Sequence, residues 1–107
     1  MKLEDQNILF LTRTMKLGGT ENVVLQLCEI FKPLVNNVIV CSCGGVNEQK
    51  LKEMGIKHYT IPDISEKNPR SIVKTIITIK KIVDKEYITI VHSHHRMAAL
   101  YSKLIFD

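Results

Sequence analysis

Four short apolar runs recur along the chain, each followed by a longer segment of mixed polarity. The runs are rich in β-branched and large apolar residues and are too short for helices, which predicts strands buried on both faces. The predicted strands are Asn7 to Thr12, Asn37 to Ser42, Lys57 to Ile61 and Tyr87 to Val91. In the intervening segments, apolar residues recur every three or four positions, which predicts amphipathic helices.

The ends of these helical segments carry recognisable signals. The first helix runs from Thr20 to Lys32, where Pro33 ends it. The short second helix ends before Gly55, and the third begins with Asn68 as its cap and Pro69 in its first turn. The apolar stripes that we expect to be buried are Val23, Val24, Leu27, Cys28 and Phe31 in the first helix and Ile72, Val73, Ile76, Ile79 and Val83 in the third.

Strands that alternate with helices predict a Rossmann-like, doubly wound α/β fold. Parallel strands are joined by right-handed crossover helices. For four strands we expect the order 3-2-1-4, which is a partial domain of this kind. Ligands bind such sheets at the carboxyl ends of the strands, near the switch point between the first and fourth strands. The loops after these two strands are therefore the candidate ligand-binding segments.

The composition is that of one small globular domain. Of the 107 residues, 45% are apolar and 24% are charged. No apolar run reaches the roughly 18 residues of a membrane span, and the start, MKLEDQ, lacks the basic character of a secretory signal. We therefore expect a cytoplasmic protein whose three cysteines are free thiols. The Cys41-x-Cys43 pair lacks the spacing and the second pair of a zinc site.

A net charge of +4 is carried in large part by the third helix and its approach. The basic residues there are Lys67, Arg70, Lys74, Lys80, Lys81 and Lys85. Two interpretations fit: a solvated helix face, or a weak peripheral attraction to an anionic membrane surface. No nucleic-acid partner is expected, because no aromatic residues are interleaved with these charges and no nucleic-acid-binding motif is present.

The loop after the first strand carries Arg13, Lys16 and the pair Gly18-Gly19 at a predicted helix start. Adjacent glycines let the backbone approach a ligand, and the open N–H groups of the helix favour an anion such as phosphate. The segment LGGTE is neither a dinucleotide-binding fingerprint nor a P-loop. From these residues alone, a tight turn and an anion site are equally good interpretations. Glu21 suits the helix dipole without any further function.

The fourth strand leads into HSHHR, which holds three histidines within four residues. We expect the side chains of His92 and His94 to point in opposite directions, with His92 either packed at the strand end or in contact with a ligand. His94 and His95 lie further out, where histidine can donate a hydrogen bond to a sugar hydroxyl or stand near a phosphate. Arg96 either is exposed to solvent or makes a bidentate contact with an anion.

Metal binding and hydrolytic catalysis are not indicated by the spacing. Zinc would need a further ligand beside HSHH, and His58, interpreted as a structural histidine, lies on the distant third strand. No nucleophile–base pair, carboxylate pair or Ser-His-Asp arrangement is evident. A last helix follows the histidines, with Met97, Leu100, Tyr101 and Leu104 on one face.

Two segments resemble family 4 retaining glycosyltransferases. In LTRTMKLGGTENVVLQLCEIF, a short strand and a loop precede Gly-Gly-x-Glu at a helix start. In ITIVHSHHRMAALYSKL, a strand ends in Val-His-x-His before a helix rich in small residues. The resemblance spans the whole chain. It implies the N-terminal, acceptor-side domain of a GT-B enzyme, in which two Rossmann-like domains face each other across a cleft.

The resemblance also implies roles for individual residues. Gly18 and Gly19 would approach the diphosphate of a nucleotide-sugar donor, and His94 would line the sugar pocket as the catalytic residue. The acceptor and sugar pocket would also include Arg13, Lys16, His95 and Arg96. Transfer would retain the anomeric configuration without a metal ion or other cofactor, and the leaving phosphate would take the acceptor's proton. Acceptors in the family range from lipids and polysaccharide intermediates to proteins and small metabolites.

Residues 1–107 contain no counterpart of the family's donor-binding domain with its Glu-x7-Glu motif. We therefore expect a truncated N-terminal domain that is inactive by itself. We also expect the apolar edge of the fourth strand, Tyr87 to Val91, to be bare and to recruit another copy of the chain. One alternative is a small non-enzymatic α/β binding module, although the acidic cluster of a phosphoacceptor domain is missing. The other is a metal-binding module built on HSHH, which zinc titration would test.

Overall fold

The four apolar runs form one parallel sheet. A computed structural model describes residues 2–16, 18–94 and 103. Its strands are β1 (Asn7–Leu11), β2 (Asn37–Ser42), β3 (Lys57–Thr60) and β4 (Ile90–Ser93). Their order is β3-β2-β1-β4 and every pairing is parallel. The predicted Rossmann-like sheet and its strand order are therefore confirmed.

Helices cover both faces of the central strands. They are α1 (Gly19–Phe31), α2 (Glu48–Glu53) and α3 (Pro69–Lys85). Because successive strand residues point to opposite faces, β1 contributes to two cores. Leu9 and Leu11 pack with α3 residues such as Ile79, whereas Ile8 and Phe10 pack with residues of α1 and α2.

The start of α3 is as predicted. The Asn68 side chain accepts a hydrogen bond from the backbone N–H of Arg70 at 2.9 Å, and Pro69 is the first residue of the helix. The Asn68 side chain therefore pairs one N–H group of the first turn that would otherwise lack a partner. Pro69 has no N–H group, so it leaves none unpaired at its own position.

Each of the predicted buried stripes of α1 and α3 contains one residue that is exposed. Val23 is 46% exposed and Val73 is 56% exposed, although both were predicted to be buried. In α3, Thr75 and Ile82 are buried instead. Thr75 can turn inward because its hydroxyl donates to the carbonyl of Ser71 at 2.7 Å, so that no hydrogen bond is lost on burial.

The fourth strand begins later than predicted. Tyr87 has a φ of 52°, in the left-handed region, and the N–H of Ile88 bonds back to the carbonyl of Val83 at 3.0 Å. Tyr87 therefore ends α3 and does not begin the strand. The edge expected at Tyr87 to Val91 is instead the edge of Ile90–Ser93. Among the described residues this strand pairs with β1 alone, and its association with another copy stays a prediction.

Within the described part of the chain, no helix is long and apolar enough to cross a membrane. The predicted last helix, with Met97, Leu100, Tyr101 and Leu104, lies outside the described residues. So do His95 and Arg96 of the predicted site.

Candidate functional site

The carboxyl ends of β1 and β4 lie side by side. Leu11 is in register with Ser93, and the N–H of His94 donates to the carbonyl of Leu11 at 2.9 Å. His94 is therefore held by the backbone at the point where the chain leaves β1 toward Gly18 and Gly19. The sheet thus brings together the starting points of the two predicted ligand-binding segments.

His92 and His94 form a stacked pair. Their ring centroids are 4.4 Å apart, and Nδ1 of His92 lies 2.7 Å from Nε2 of His94. Both rings rest on Phe10, at centroid distances of 5.6 and 5.9 Å. The expectation that the two side chains diverge was wrong, because residues two apart on a strand share a face.

The stacked pair affects the chemistry of His94. Burial, and secondly the neighbouring His92, lower its pKa from the ordinary histidine value. At neutral pH the ring is therefore uncharged, and it can offer a hydrogen bond but not a positive charge. Its Nε2 atom faces His92, and within the described part of the chain its Nδ1 atom has no hydrogen-bond partner.

The N-terminus of α1 is open around Gly19. Gly18 is extended, with a φ of 171°, and no side chain caps the helix. A Cβ atom added to Gly19 would meet no atom within 4 Å among the described residues. The N–H groups of the first turn are therefore approachable, as an anion-binding helix start requires.

Glu21 limits the direction from which an anion can approach. Its carboxylate accepts a hydrogen bond from the Thr14 hydroxyl at 2.8 Å. It stands beside Gly18, where an added Cβ would lie 3.0 Å from one carboxylate oxygen. Because this negative charge repels an anion on the Gly18 side, the Gly19 side is the favourable approach.

Arg13 and Lys16 have different surroundings. The Arg13 guanidinium makes a bidentate ion pair with Asp63, with Nε–Oδ1 and Nη2–Oδ2 distances of 3.0 Å. This hydrogen bonding lowers the pKa of Asp63 to about 2. Asp63 follows β3, so the guanidinium is directed away from β4, and an anionic ligand would compete with Asp63. Lys16 is exposed, and its carbonyl accepts a hydrogen bond from Asn47 at 3.0 Å.

The loop after β2 supports the loop after β1, which the sequence pattern did not indicate. Met15 donates its N–H to the carbonyl of Gly44 at 2.9 Å, and the N–H of Asn47 bonds to the carbonyl of Met15 at 2.8 Å. Gly45 approaches so closely that an added Cβ would lie 2.3 Å from backbone atoms of Met15 and Lys16. The glycine pair Gly44-Gly45 after β2 is the feature of the sequence that could have indicated this contact.

A second arrangement missed by sequence reasoning links Ser42, His58 and Glu48. The Ser42 hydroxyl lies 2.6 Å from Nε2 of His58, and Nδ1 of His58 lies 3.2 Å from Glu48. The geometry resembles a Ser-His-acid triad, but Ser42 is fully buried and cannot meet a substrate. Its oxygen accepts the N–H of Gly44 at 3.1 Å, and Glu48 accepts the N–H of Gly45 at 3.0 Å. The network therefore supports the loop after β2.

No metal centre is evident in the described part of the chain, which contains no group of three or more His, Cys, Asp or Glu side chains placed to hold an ion. The cysteines are free, as expected. Burial raises the pKa of Cys28 and Cys41 to about 12, so both thiols stay protonated at neutral pH.

Comparison with known proteins bears on the fold and on the family. A glycosyltransferase from Rickettsia africae ESF-5, known from its crystal structure, matches with a TM-score of 0.75 and 22% identity, over 92% of this chain and 27% of that one. At this identity the match shows a shared fold. No curated protein matches the chain. Residues 17–106 match the model of Glycosyltransferase Family 4. Since this match covers most of the chain, including Gly18, Gly19 and His94, the chain belongs to Glycosyltransferase Family 4.

Proposed function

We propose that the chain is the acceptor-side part of an enzyme that transfers a sugar from a nucleotide-sugar donor to an acceptor with retention of configuration. Family membership supports sugar transfer. The observation that carries the assignment of the site is the position of His94, which is bonded to the end of β1 where the loop to the open helix start at Gly19 begins.

The two elements would supply different parts of the chemistry. Negative charge develops on the departing diphosphate during transfer, and preorganised N–H groups stabilise such charge without reorganising. The first turn of α1 offers these groups on its Gly19 side. The uncharged His94 would donate a hydrogen bond to a sugar hydroxyl and so orient the donor. On the family resemblance, we propose that the leaving phosphate takes the acceptor's proton and that no metal ion takes part.

A further domain is part of the proposal. The chain spans 27% of the Rickettsia glycosyltransferase that it matches. We therefore propose that the nucleotide is held mainly by residues outside this chain, and that the chain by itself does not turn over a donor. The three free thiols support a reducing, cytoplasmic compartment.

Titration of the chain with inorganic pyrophosphate, followed by amide NMR, tests the anion site. We expect weak binding that shifts the amides of the first turn of α1. Gly19→Ala should weaken it without loss of stability, because the added Cβ meets no atom of the described residues and would obstruct a bound ligand. Asn22→Ala, also on α1, is the matched control.

Two results would contradict the proposal. If Gly19→Ala binds pyrophosphate as the unaltered chain does, the anion does not bind at this helix start. If the chain alone transfers sugar from a nucleotide sugar, the requirement for a further domain is wrong.

A further inference from the structure

The outer face of α3 exposes apolar and basic side chains together. Val73 is 56% exposed and Ile77 is 49% exposed, while Ile79 and Val83 on the opposite face are buried in the core. A shallow groove of about 630 Å³ runs along this side of the helix and is lined by both residues. Since the core accounts for the inner face only, the exposed apolar pair has no role in holding the described fold together.

The basic residues of the same groove lie on the same side of the helix. Arg70, Lys74 and Lys81 line it together with Val73 and Ile77, at positions three or four apart. Neither Lys74 nor Lys81 has an ion-pair partner among the described residues. Asp84 is the acid of α3. It pairs with Lys80 at 3.3 Å, and neither of the two lines the groove. The groove is therefore apolar along its middle and positively charged along its length.

We propose that this α3 outer face, formed by Arg70, Val73, Lys74, Ile77 and Lys81, binds the surface of an anionic lipid bilayer. A partner must accept aliphatic side chains and supply negative charge along a row of roughly 16 Å, the rise of the helix from Arg70 to Lys81. The interface of an anionic bilayer offers both, and long lysine and arginine side chains can reach its phosphates while the valine and isoleucine enter the apolar boundary. This role is independent of the proposed sugar transfer.

Vesicle flotation with the whole chain tests the proposal. Vesicles of phosphatidylcholine alone are compared with vesicles in which phosphatidylglycerol replaces part of it. We expect the chain to float with the second kind only, and to be released by salt, because the attraction is partly electrostatic. Each basic residue near such a surface contributes roughly fivefold to binding.

Three double variants separate the contributions. Lys74→Glu with Lys81→Glu should weaken binding more than roughly 25-fold. Val73→Ser with Ile77→Ser, which keeps every charge, should weaken it about tenfold. Lys50→Glu with Lys52→Glu makes the same charge change on α2, where both lysines are exposed, and should have a much smaller effect. Circular dichroism confirms that each variant is folded.

Several outcomes would overturn the proposal. One is that the chain does not bind anionic vesicles at low salt. Another is an equal loss of binding in the α2 and α3 charge variants, which would indicate attraction by net charge alone. A third is concentration-dependent dimerisation that Val73→Ser with Ile77→Ser abolishes while vesicle binding is absent, since the α3 outer face would then contact a second copy.

Discussion

At the scale of single residues, Gly45 holds the loops of the candidate site together. Its φ of 151° is rarely adopted by residues with side chains, and its Cα faces the backbone of Met15 and Lys16 directly. The contact lets the loop after β2 lie against the loop that leads to Gly18 and Gly19. The geometry of the proposed anion site thus depends on a glycine outside it.

Gly45→Ala should destabilise the fold by about 2–4 kcal/mol, because the new Cβ would overlap backbone that cannot move without breaking the loop hydrogen bonds. Unfolding by urea measures the change. Gly19→Ala is the matched control and should alter the free energy of unfolding by no more than about 0.5 kcal/mol. Equal stabilities of the two variants would show that the loop contact is not rigid.

His58 makes the stability of the loop after β2 dependent on pH. Burial lowers its pKa from 6.5, although Glu48 opposes the shift. When the pH falls below the unfolded-state value, the unfolded chain takes up the proton first. The free energy of unfolding therefore declines on acidification through the pKa of the folded state. The stability that neutral His58 contributes is fully present only above the pKa that His58 has in the unfolded chain.

His58→Gln should flatten this dependence. Urea unfolding at several values between about pH 7.5 and about pH 5 gives the slope of stability against pH. We expect the slope to be smaller in the variant but not zero, because the pKa of His94 is lowered in the same direction. His94→Gln provides the comparison. Identical slopes in the unaltered chain and His58→Gln would exclude His58 as a contributor.

At the scale of elements, the end of α3 determines where β4 begins. Tyr87 occupies the left-handed position that follows the last turn, a position that glycine adopts without strain. Its side chain is 79% exposed and so contributes little packing. The helix therefore ends on a residue of unfavourable conformation.

Tyr87→Gly should stabilise the chain by about 0.5–1 kcal/mol, because the left-handed conformation carries no penalty for glycine. Thermal unfolding measures the shift. Tyr87→Ala removes the same ring but keeps the penalty, and it should bring no gain. If glycine and alanine have the same effect, the ring and not the backbone is responsible.

At the scale of the whole molecule, β4 is the outermost strand of the described sheet on the side away from β3. We expect concentration-dependent self-association, which sedimentation velocity would detect. His92→Lys, which adds a charge to this edge, should weaken it, whereas Gln49→Lys on α2 should not. A chain that stays monomeric at every accessible concentration would contradict the prediction.

The sequence pattern was sufficient for the order of elements and for the adjacency of the loops after β1 and β4. Alternation of buried runs with amphipathic segments led to the order 3-2-1-4, which places the ends of β1 and β4 together. Local signals sufficed at Asn68 and Pro69, because a helix cap involves only neighbouring residues. They failed at Tyr87, where a strand-forming residue type adopts a helix-ending conformation. They also failed at Val73, because α3 turns Thr75 and Ile82 toward the core instead.

What the sequence alone determined is therefore what depends on neighbouring residues: strand and helix identities, Gly18 and Gly19 at a helix start, and histidines at a strand end. The tertiary structure decided which distant groups meet. Asp63 takes the guanidinium of Arg13, and Gly45 supports Met15. Ser42, His58 and Glu48 come together from two strands and a helix. Such contacts depend on how the elements pack against each other. The spacing of residues along the sequence does not indicate which side chains this packing brings into contact.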